Sequence, residues 1–292
     1  MPTANIDGIQ THYLMQGNGP PLLMLAPAGF DSSISRWSAS GVWKLMRPLD
    51  TLAADFTLIA YDRREAGESG GRIEPLTWRS YTQHARALLD HLNIEKALVL
   101  GGCMGCSVAS AFAADFPERC SAQLLHWPVG GFRWMQKGRT NFQRHIEFAR
   151  VHGLAGVAER ARQSKVFWGD PEAGPWSSVI ATDPAFAAAF VRQDLESYLA
   201  IVARSRDALF NDTMPSGATG EQLLAMTMPA FIMPGDDASH ATSCAHALRE
   251  LIPQAHMSLL MPPQQTPEAV AQWIRDAGNA VRSGSARVEQ QA

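Results

Sequence analysis

A cysteine surrounded by glycines is the residue of this 292-residue chain best suited to chemistry. Residues 101–105 have the sequence Gly-Gly-Cys-Met-Gly and follow an apolar run at residues 97–100. Small residues on both sides of a reactive side chain indicate a turn too sharp for Cβ atoms. At the first turn of a helix, free N–H groups and the helix dipole favour an anion. The Cys103 thiol is therefore predicted to act as a nucleophile.

Two other interpretations of Cys103 stay open. A free cysteine is commonly a small buried hydrophobe. Cys103 and Cys106 also form C-x-x-C at a predicted helix start, the arrangement of thioredoxin-like redox sites. The flanking glycines disfavour the first interpretation. The length of the chain and the order of its predicted elements disfavour the second.

Composition and charge indicate a globular protein that acts on small ligands. The chain is 46% hydrophobic and carries 25 basic and 28 acidic residues, mixed along its length, for a net charge of −3. No block of like charge would attract nucleic acid or an anionic membrane surface. We therefore expect a small, roughly neutral molecule as the partner, and no nucleic acid or membrane. A homodimer is left open.

Signals for export, membrane insertion and metal binding are not found in the sequence. The first residues have neither the basic nor the apolar region of a signal peptide, and no apolar run approaches the ~18 residues needed to span a bilayer. We expect a cytoplasmic protein. Four cysteines form no disulfide framework, and one C-x-x-C without a second pair does not predict zinc. Reduced thiols, no cofactor and no metal are expected.

Strand and helix patterns alternate over most of the chain, which predicts a parallel sheet with helices on both faces. Strand patterns occur at residues 9–16, 21–25, 57–61, 97–100, 123–127, 229–233 and 256–261. Helical patterns occur at residues 77–92, 103–116, 242–251 and 267–281.

The alternation breaks after residue 130, where the pattern predicts several consecutive helices. We therefore divide the chain into a core at residues 1–130 and 227–281, a helical cap at residues 131–226, and a polar tail at residues 282–292 that is predicted to be disordered.

These motifs and this order of elements resemble the α/β-hydrolase fold, with a helical cap inserted after the sixth strand, over roughly residues 6–281. The glycine-flanked cysteine matches the family's G-x-S-x-G nucleophile elbow, with cysteine in place of serine. Residues 61–69, Tyr-Asp-Arg-Arg-Glu-Ala-Gly-Glu-Ser, resemble the family's D-x-R-G-x-G-x-S loop, with Glu65 where a glycine is common. We expect that loop to be structural.

The resemblance implies places for the oxyanion donors and the acid. The N–H of Met104, the residue after the nucleophile, would be one donor. Ala28, in the loop after the third strand, would be the other, with Gly29 or Phe30 as alternatives. The acid should follow the strand after the cap, where Asp237 is favoured and Asp236 is the second choice. Capping of the next helix is the structural alternative for this acidic pair.

The base departs from the family pattern. The family places its histidine in the loop after the last strand, but residues 261–266 contain none. His256 lies at the other end of that strand, and His246 lies inside the preceding helix. His240, three residues after Asp237, is therefore the candidate base, with a purely structural role left open.

An amide stands where the family histidine is missing. Gln264 or Gln265 would occupy that place, and an amide carries no proton at neutral pH. A thiolate can attack an activated carbonyl without such a base, so the cysteine and the missing histidine are mutually consistent.

The predicted function is a cofactor-free, cysteine-dependent hydrolase with an acyl-cysteine intermediate. Its substrate would be a small ester, lactone or thioester, or a compound with a C–C bond adjacent to a carbonyl. Gly29, Phe30, Trp127 and Trp134 are expected to contact an apolar or aromatic substrate. Acyltransferase, lyase or decarboxylase chemistry at the same cysteine, and ligand binding without catalysis, stay open.

Overall fold

The centre of the molecule is a mixed, mostly parallel β-sheet. The computed structural model describes residues 1–164, 166–211 and 215–284. The strands are β1 (Thr3–Ile6), β2 (Ile9–Gln16), β3 (Pro21–Leu25), β4 (Thr57–Tyr61), β5 (Ala97–Gly102), β6 (Cys120–His126), β7 (Ala230–Met233) and β8 (Ala255–Met257). Their order across the sheet is β1-β2-β4-β3-β5-β6-β7-β8. The pairs that include β2 are antiparallel, and every pair from β4 to β8 is parallel.

Helices cover both faces of this sheet. The α-helices in the described ranges are α1 (Gly41–Met46), α2 (Pro48–Thr51), α3 (Trp78–His91), α4 (Met104–Asp115), α5 (Phe132–Gln163), α6 (Ser177–Thr182), α7 (Pro184–Val191), α8 (Leu195–Leu209), α9 (Gly220–Leu224), α10 (Thr242–Leu251) and α11 (Pro267–Ser283). The predicted α/β architecture, a mostly parallel sheet with helices on both faces, is confirmed. Helices α5 to α9 lie between β6 and β7, and the division into core and cap stays a prediction.

The core forms two layers because buried side chains alternate along each central strand. In β3, Leu23 and Leu25 pack on the face covered by α3 and α4, while Leu22 and Met24 pack on the face covered by α1 and α11. All four are buried. Burial of each such side chain contributes about 1.5–3 kcal/mol. This two-sided burial fixes the strands whose carboxyl ends carry the site.

Three of the predicted elements end at other residues than expected. β6 starts at Cys120 and ends before Trp127, whose left-handed backbone (φ 55°) does not continue a strand. β8 ends at Met257, four residues before the predicted end, as the chain turns toward Pro262. α11 continues to Ser283, so the predicted disordered tail starts too early, and residues 285–292 lie outside the described residues.

Two short helices, α1 and α2, were not predicted from the sequence. α1 and α2 each have six residues or fewer, too short for an apolar periodicity to show in the sequence. α1 nevertheless covers the sheet beside the elbow.

Within the described part of the chain, no helix is both long and apolar enough to cross a membrane.

Candidate active site

Cys103 sits in a strained turn between β5 and α4. Its backbone, with φ 53° and ψ −124°, lies in a sparsely populated region for a non-glycine residue. The turn is held by the Cys103 N–H, which donates to the His126 carbonyl over 3.1 Å. A Cβ at Gly101 or Gly105 would overlap backbone atoms, so both glycines are needed for this turn. The elbow thus sets Cys103 at the carboxyl edge of the sheet.

The second cysteine of the C-x-x-C motif is packed beneath the elbow. Cys106 is buried, and its thiol donates to the carbonyls of Gly101 (3.1 Å) and His126 (3.2 Å). Burial raises the pKa of this thiol well above its usual value. Cys103 and Cys106 are both free thiols. Among the residues that the model describes, no group of three or more side chains is arranged to hold a metal ion.

Two backbone N–H groups near Cys103 have the properties of oxyanion donors. Met104 is the first residue of α4, so its N–H has no acceptor inside the helix. Ala28 has a left-handed backbone (φ 80°) and lines the same cavity as Cys103. Neither N–H donates to an acceptor within the described ranges. Gly29, the alternative donor, is buried, and its carbonyl accepts a hydrogen bond from Arg63 over 2.8 Å.

His240 and Asp237 form a hydrogen-bonded pair in the loop after β7. The His240 Nδ1 and the Asp237 Oδ2 are 2.8 Å apart. The other Asp237 oxygen accepts the N–H groups of Ser239 (2.7 Å) and His240 (2.9 Å). The His240 Nε2 is buried and makes no hydrogen bond to any described residue. Asp236, the second choice for the acid, is exposed and is not bonded to His240.

The charges of this group favour a protonated His240. Burial alone lowers the pKa of His240, but its interactions with the Cys103 side chain and with Asp237 outweigh burial and raise the pKa to about 9. Burial raises the pKa of Asp237, but the hydrogen bonds from His240 and Ser239 outweigh that effect and lower it. The His240 ring is therefore an imidazolium next to a carboxylate at neutral pH.

The loop after β7 approaches the end of β6 closely. Gly130 and His240 form an isolated parallel β-bridge. A Cβ at Gly235 would lie 2.6 Å from the His240 Cβ and 3.3 Å from the Trp127 ring, so only glycine allows this approach. The Trp127 and His240 ring centroids are 5.4 Å apart. Trp127 therefore packs directly against the candidate base.

Gln265 lies in the loop where the family histidine is missing, and its side-chain amide makes three hydrogen bonds. Its oxygen accepts the Trp127 indole N–H over 2.6 Å, and its nitrogen donates to the carbonyls of Pro234 and Leu260, each over 2.8 Å. The residue is 6% exposed. Gln264 instead accepts the Met261 N–H over 3.0 Å. Gln265 thus holds Trp127 in place and lies outside the cavity of Cys103.

The other two histidines named in this part of the sequence are remote from Cys103. His256 lies in β8 and stacks on Phe231, with ring centroids 5.4 Å apart. His246 lies on α10 and is exposed. Neither lines the cavity of Cys103. Of the three histidines weighed as the base, only His240 lines that cavity.

The cavity beside Cys103 has a volume of about 240 Å³ and is mostly walled by the segment after β3 and by α1. Its described lining residues are Pro27, Ala28, Arg36, Ser40, Gly41, Val42, Trp43, Cys103, His126, Trp127 and His240. None of these comes from residues 131–226. Arg36, which pairs with Asp31, places a cation at the wall.

Seven lining residues were not among the predicted site residues, namely Pro27, Arg36, Ser40, Gly41, Val42, Trp43 and His126. The sequence carries a signal for only one of them, because His126 is a polar residue that ends an apolar strand. Arg36 and Trp43 belong to a 3₁₀ turn and a short helix, whose direction depends on contacts with distant parts of the chain.

Trp127 lines the cavity, but the other three predicted substrate contacts, Gly29, Phe30 and Trp134, are not among its lining residues. Phe30 and Trp134 are buried in an aromatic cluster whose further members are Phe142, Phe167, Trp168 and Phe210. The Trp134 ring centroid is 4.6 Å from that of Trp168, and the Phe30 centroid is 5.1 Å from that of Phe167. The structure places both side chains in packing between the helices and the core.

A family model described as alpha/beta hydrolase fold matches residues 21–202, more than half of the chain. The dihydrolipoyllysine-residue acetyltransferase component of the acetoin cleaving system of Cupriavidus necator is 31% identical over 127 residues, 44% of this chain and 32% of that protein. The soluble epoxide hydrolase of Corynebacterium sp. is 34% identical over 112 residues, 38% of this chain and 36% of that protein. The chain spans about a third of the length of these curated relatives.

A solved structure matches over nearly the full length. A thermophilic esterase from Thermogutta terrifontis superimposes with a TM-score of 0.60 at 23% identity, covering 94% of each chain. At this identity the likeness establishes the fold.

Proposed function

The chain belongs to the α/β-hydrolase family, and on that premise we propose that it is a cofactor-free hydrolase that forms an acyl-cysteine at Cys103. Its substrate is a small ester, lactone or thioester, or a compound with a C–C bond adjacent to a carbonyl. One observation carries this proposal. His240 is bonded to Asp237 through Nδ1 and leaves a buried Nε2 unpartnered in the cavity that Cys103 lines.

In the acylation step, the Cys103 sulfur attacks the substrate carbonyl carbon. The thiolate is the attacking form of a cysteine, and His240 enters the step as the imidazolium. The carbonyl oxygen becomes an oxyanion held by the N–H groups of Met104 and Ala28. When the tetrahedral intermediate collapses, the bond to the leaving group breaks and the His240 Nε2 gives it a proton. An acyl-cysteine and a neutral His240 remain.

In the deacylation step, neutral His240 accepts a proton from water at Nε2 while the water oxygen attacks the acyl carbon. Collapse of the second tetrahedral intermediate breaks the C–S bond and restores the thiolate and the imidazolium. Asp237 keeps the ring oriented through Nδ1 and stabilises its charge. His240 is thus the proton carrier in both steps.

Mass spectrometry of the intact protein treated with p-nitrophenyl acetate tests this proposal. We expect an acetyl group on Cys103 in the wild-type protein and no adduct or turnover in Cys103→Ala. Cys120→Ala is the matched control, because Cys120 is a buried thiol at the opposite end of β6. An adduct on another residue, or unchanged turnover in Cys103→Ala, would contradict the proposal.

Acyl transfer is the second candidate, favoured by the acetyltransferase among the relatives. The first half-reaction is the same, but the acyl group passes from Cys103 to an amine or thiol. An acetyl-Cys103 adduct that persists in water and disappears on addition of a small thiol would favour transfer. Rapid loss in buffer alone would favour hydrolysis. Bond cleavage without an adduct would indicate a lyase, and binding without any reaction a ligand-binding protein.

A further inference from the structure

His126 is a second histidine in the candidate site, and the mechanism above does not use its side chain. It is the last residue of β6 and is paired in register with Gly102, the residue before the nucleophile. Its backbone carbonyl accepts the Cys103 N–H. The residue is 3% exposed, and its ring lines the cavity of Cys103. The imidazole therefore lies at the wall beside the reacting sulfur.

Aromatic side chains pack against the His126 ring but give its Nε2 no hydrogen bond. The Trp43 ring meets it edge-on, with centroids 4.5 Å apart, and the Trp127 ring lies parallel to it at 5.7 Å. A Cβ at Gly102 would lie 3.5 Å from the Trp43 indole nitrogen, which shows how closely this wall approaches the elbow. The His126 Nε2 is buried and has no hydrogen-bond partner among the described residues. A buried polar atom without a partner is costly, so it calls for an explanation.

The His126 ring is neutral and offers an acceptor at Nε2. Burial lowers the pKa of His126 to about 3, and the charge of His240 acts in the same direction. A neutral imidazole has one protonated nitrogen and one lone pair, and with the proton on Nδ1 the lone pair is on Nε2. Nε2 is left with a lone pair, which can accept a hydrogen bond but cannot donate one.

We propose that the His126 Nε2 accepts a hydrogen bond from a hydroxyl group on the acyl part of the substrate, so that the site selects short hydroxyacyl compounds. The inference rests on the proposed function, because the acyl carbon must lie on Cys103. A hydroxyl is the smallest common donor, and a cavity of about 240 Å³ between aromatic walls suits a short acyl chain. His126 is then a residue that determines specificity.

The test compares kcat/KM for p-nitrophenyl butyrate with that for its 2-hydroxy and 3-hydroxy derivatives. In the wild-type protein we expect at least one hydroxy ester to be preferred about tenfold, the effect of one hydrogen bond. His126→Phe keeps an aromatic ring without an acceptor, so the ratio of kcat/KM for the hydroxy ester to that for the plain ester should fall to about 1. His126→Gln keeps an acceptor oxygen and should retain part of the preference.

His256→Phe is the matched control. The His256 Nε2 is also buried without a partner, but this histidine stacks on Phe231 away from the cavity of Cys103. Its substitution should leave the substrate ratio unchanged. Loss of the preference in this control as well would overturn the assignment to His126.

A binding measurement separates the inference from the proposed function. Hydroxybutyramides should protect Cys103 from alkylation by iodoacetamide about tenfold better than butyramide, and His126→Phe should remove the difference. If no ester acylates Cys103 but this protection is seen, the hydrolase proposal fails and the His126 inference stands. Equal protection by both amides, or equal turnover of both types of ester, would overturn the His126 inference alone.

Discussion

Two loops at the carboxyl edge of the sheet, one after β7 and one after β8, each bring a polar side chain toward Trp127. In the loop after β8, Gln265 is buried. Its amide nitrogen donates to the carbonyls of Pro234 and Leu260, and its oxygen accepts the Trp127 indole N–H. In the loop after β7, His240 is bonded through one nitrogen and has the other unpartnered. A saturated side chain supports the structure, while one with a free atom in a cavity is available for chemistry.

The family resemblance alone would direct attention to the loop after β8. It places the base after the last strand, where Gln265 now holds Trp127, and Trp127 in turn packs against His240. The two loops therefore have different roles in the proposed mechanism, in which one positions the aromatic wall and the other carries the proton.

The largest effect is expected from His240→Ala. Loss of the proton carrier should lower kcat/KM for p-nitrophenyl acetate by about 10²–10⁴-fold, while the thermal unfolding midpoint changes little because the loop is partly exposed. Steady-state kinetics and calorimetry measure the two quantities. Wild-type activity in this variant would assign the base elsewhere.

The double variant His240→Ala with Gln265→His is the control for the position of the base. Gln265 points toward Trp127 and lies outside the cavity, so a histidine there should not restore activity. Recovery of more than about tenfold would show that the loop after β8 still reaches the reacting atoms.

Asp237→Asn should have the next largest effect, a loss of about 10–100-fold in kcat/KM, because the hydrogen bond between a carboxylate and the charged imidazolium is lost. Asp236→Asn is the matched control, since Asp236 is the exposed neighbour that is not bonded to His240. Its activity should equal that of the wild type. A larger loss in Asp236→Asn than in Asp237→Asn would reverse the assignment.

Gln265→Leu should reduce stability more than it reduces catalysis. The substitution leaves the Trp127 indole N–H and two carbonyls without their partner, which costs about 1–3 kcal/mol in the free energy of unfolding. The kcat/KM should fall less than in Asp237→Asn, because His240 and Asp237 remain bonded. Urea denaturation and the same ester assay provide both numbers. An unchanged free energy of unfolding would contradict the supporting role of Gln265.

The smallest expected effect is the change of the free energy of unfolding with pH. The pKa of His240 is raised from 6.5 to about 9 in the folded protein, so its contacts stabilise the fold fully below about pH 6.5 and this contribution is lost as the pH rises through 9. Because the Asp237 side chain is 50% exposed, screening limits the difference to about 1 kcal/mol. Denaturation at pH 6.5 and 9.5 should show this loss in the wild type and not in His240→Ala. Parallel behaviour of both proteins would count against the raised pKa.

Local sequence rules account for the fold and for the elbow. Strands β2, β3 and β4 and helix α10 are confirmed at the predicted residues. The glycines around Cys103 likewise encode the sharp turn by sterics alone. The pairing of His240 with Asp237 lies within four residues of one loop, which made it accessible to sequence reasoning.

The walls of the cavity depend on contacts that no local pattern contains. Trp43 reaches the site through the packing of a six-residue helix against the sheet, and His126 through its register with Gly102. Phe30 and Trp134 were expected at the substrate, but the packing of α5 and its neighbours draws them into the aromatic cluster. Which aromatic side chain faces a cavity is decided by the tertiary arrangement.

The coupling between His240 and Cys103 is the central claim, and the pKa of His240 tests it most directly. Nuclear magnetic resonance titration of histidine-labelled protein should give a value of about 9 in the wild type and a lower value in Cys103→Ala, because the Cys103 side chain helps to raise it. A wild-type value close to the ordinary 6.5 that Cys103→Ala does not change would contradict the account.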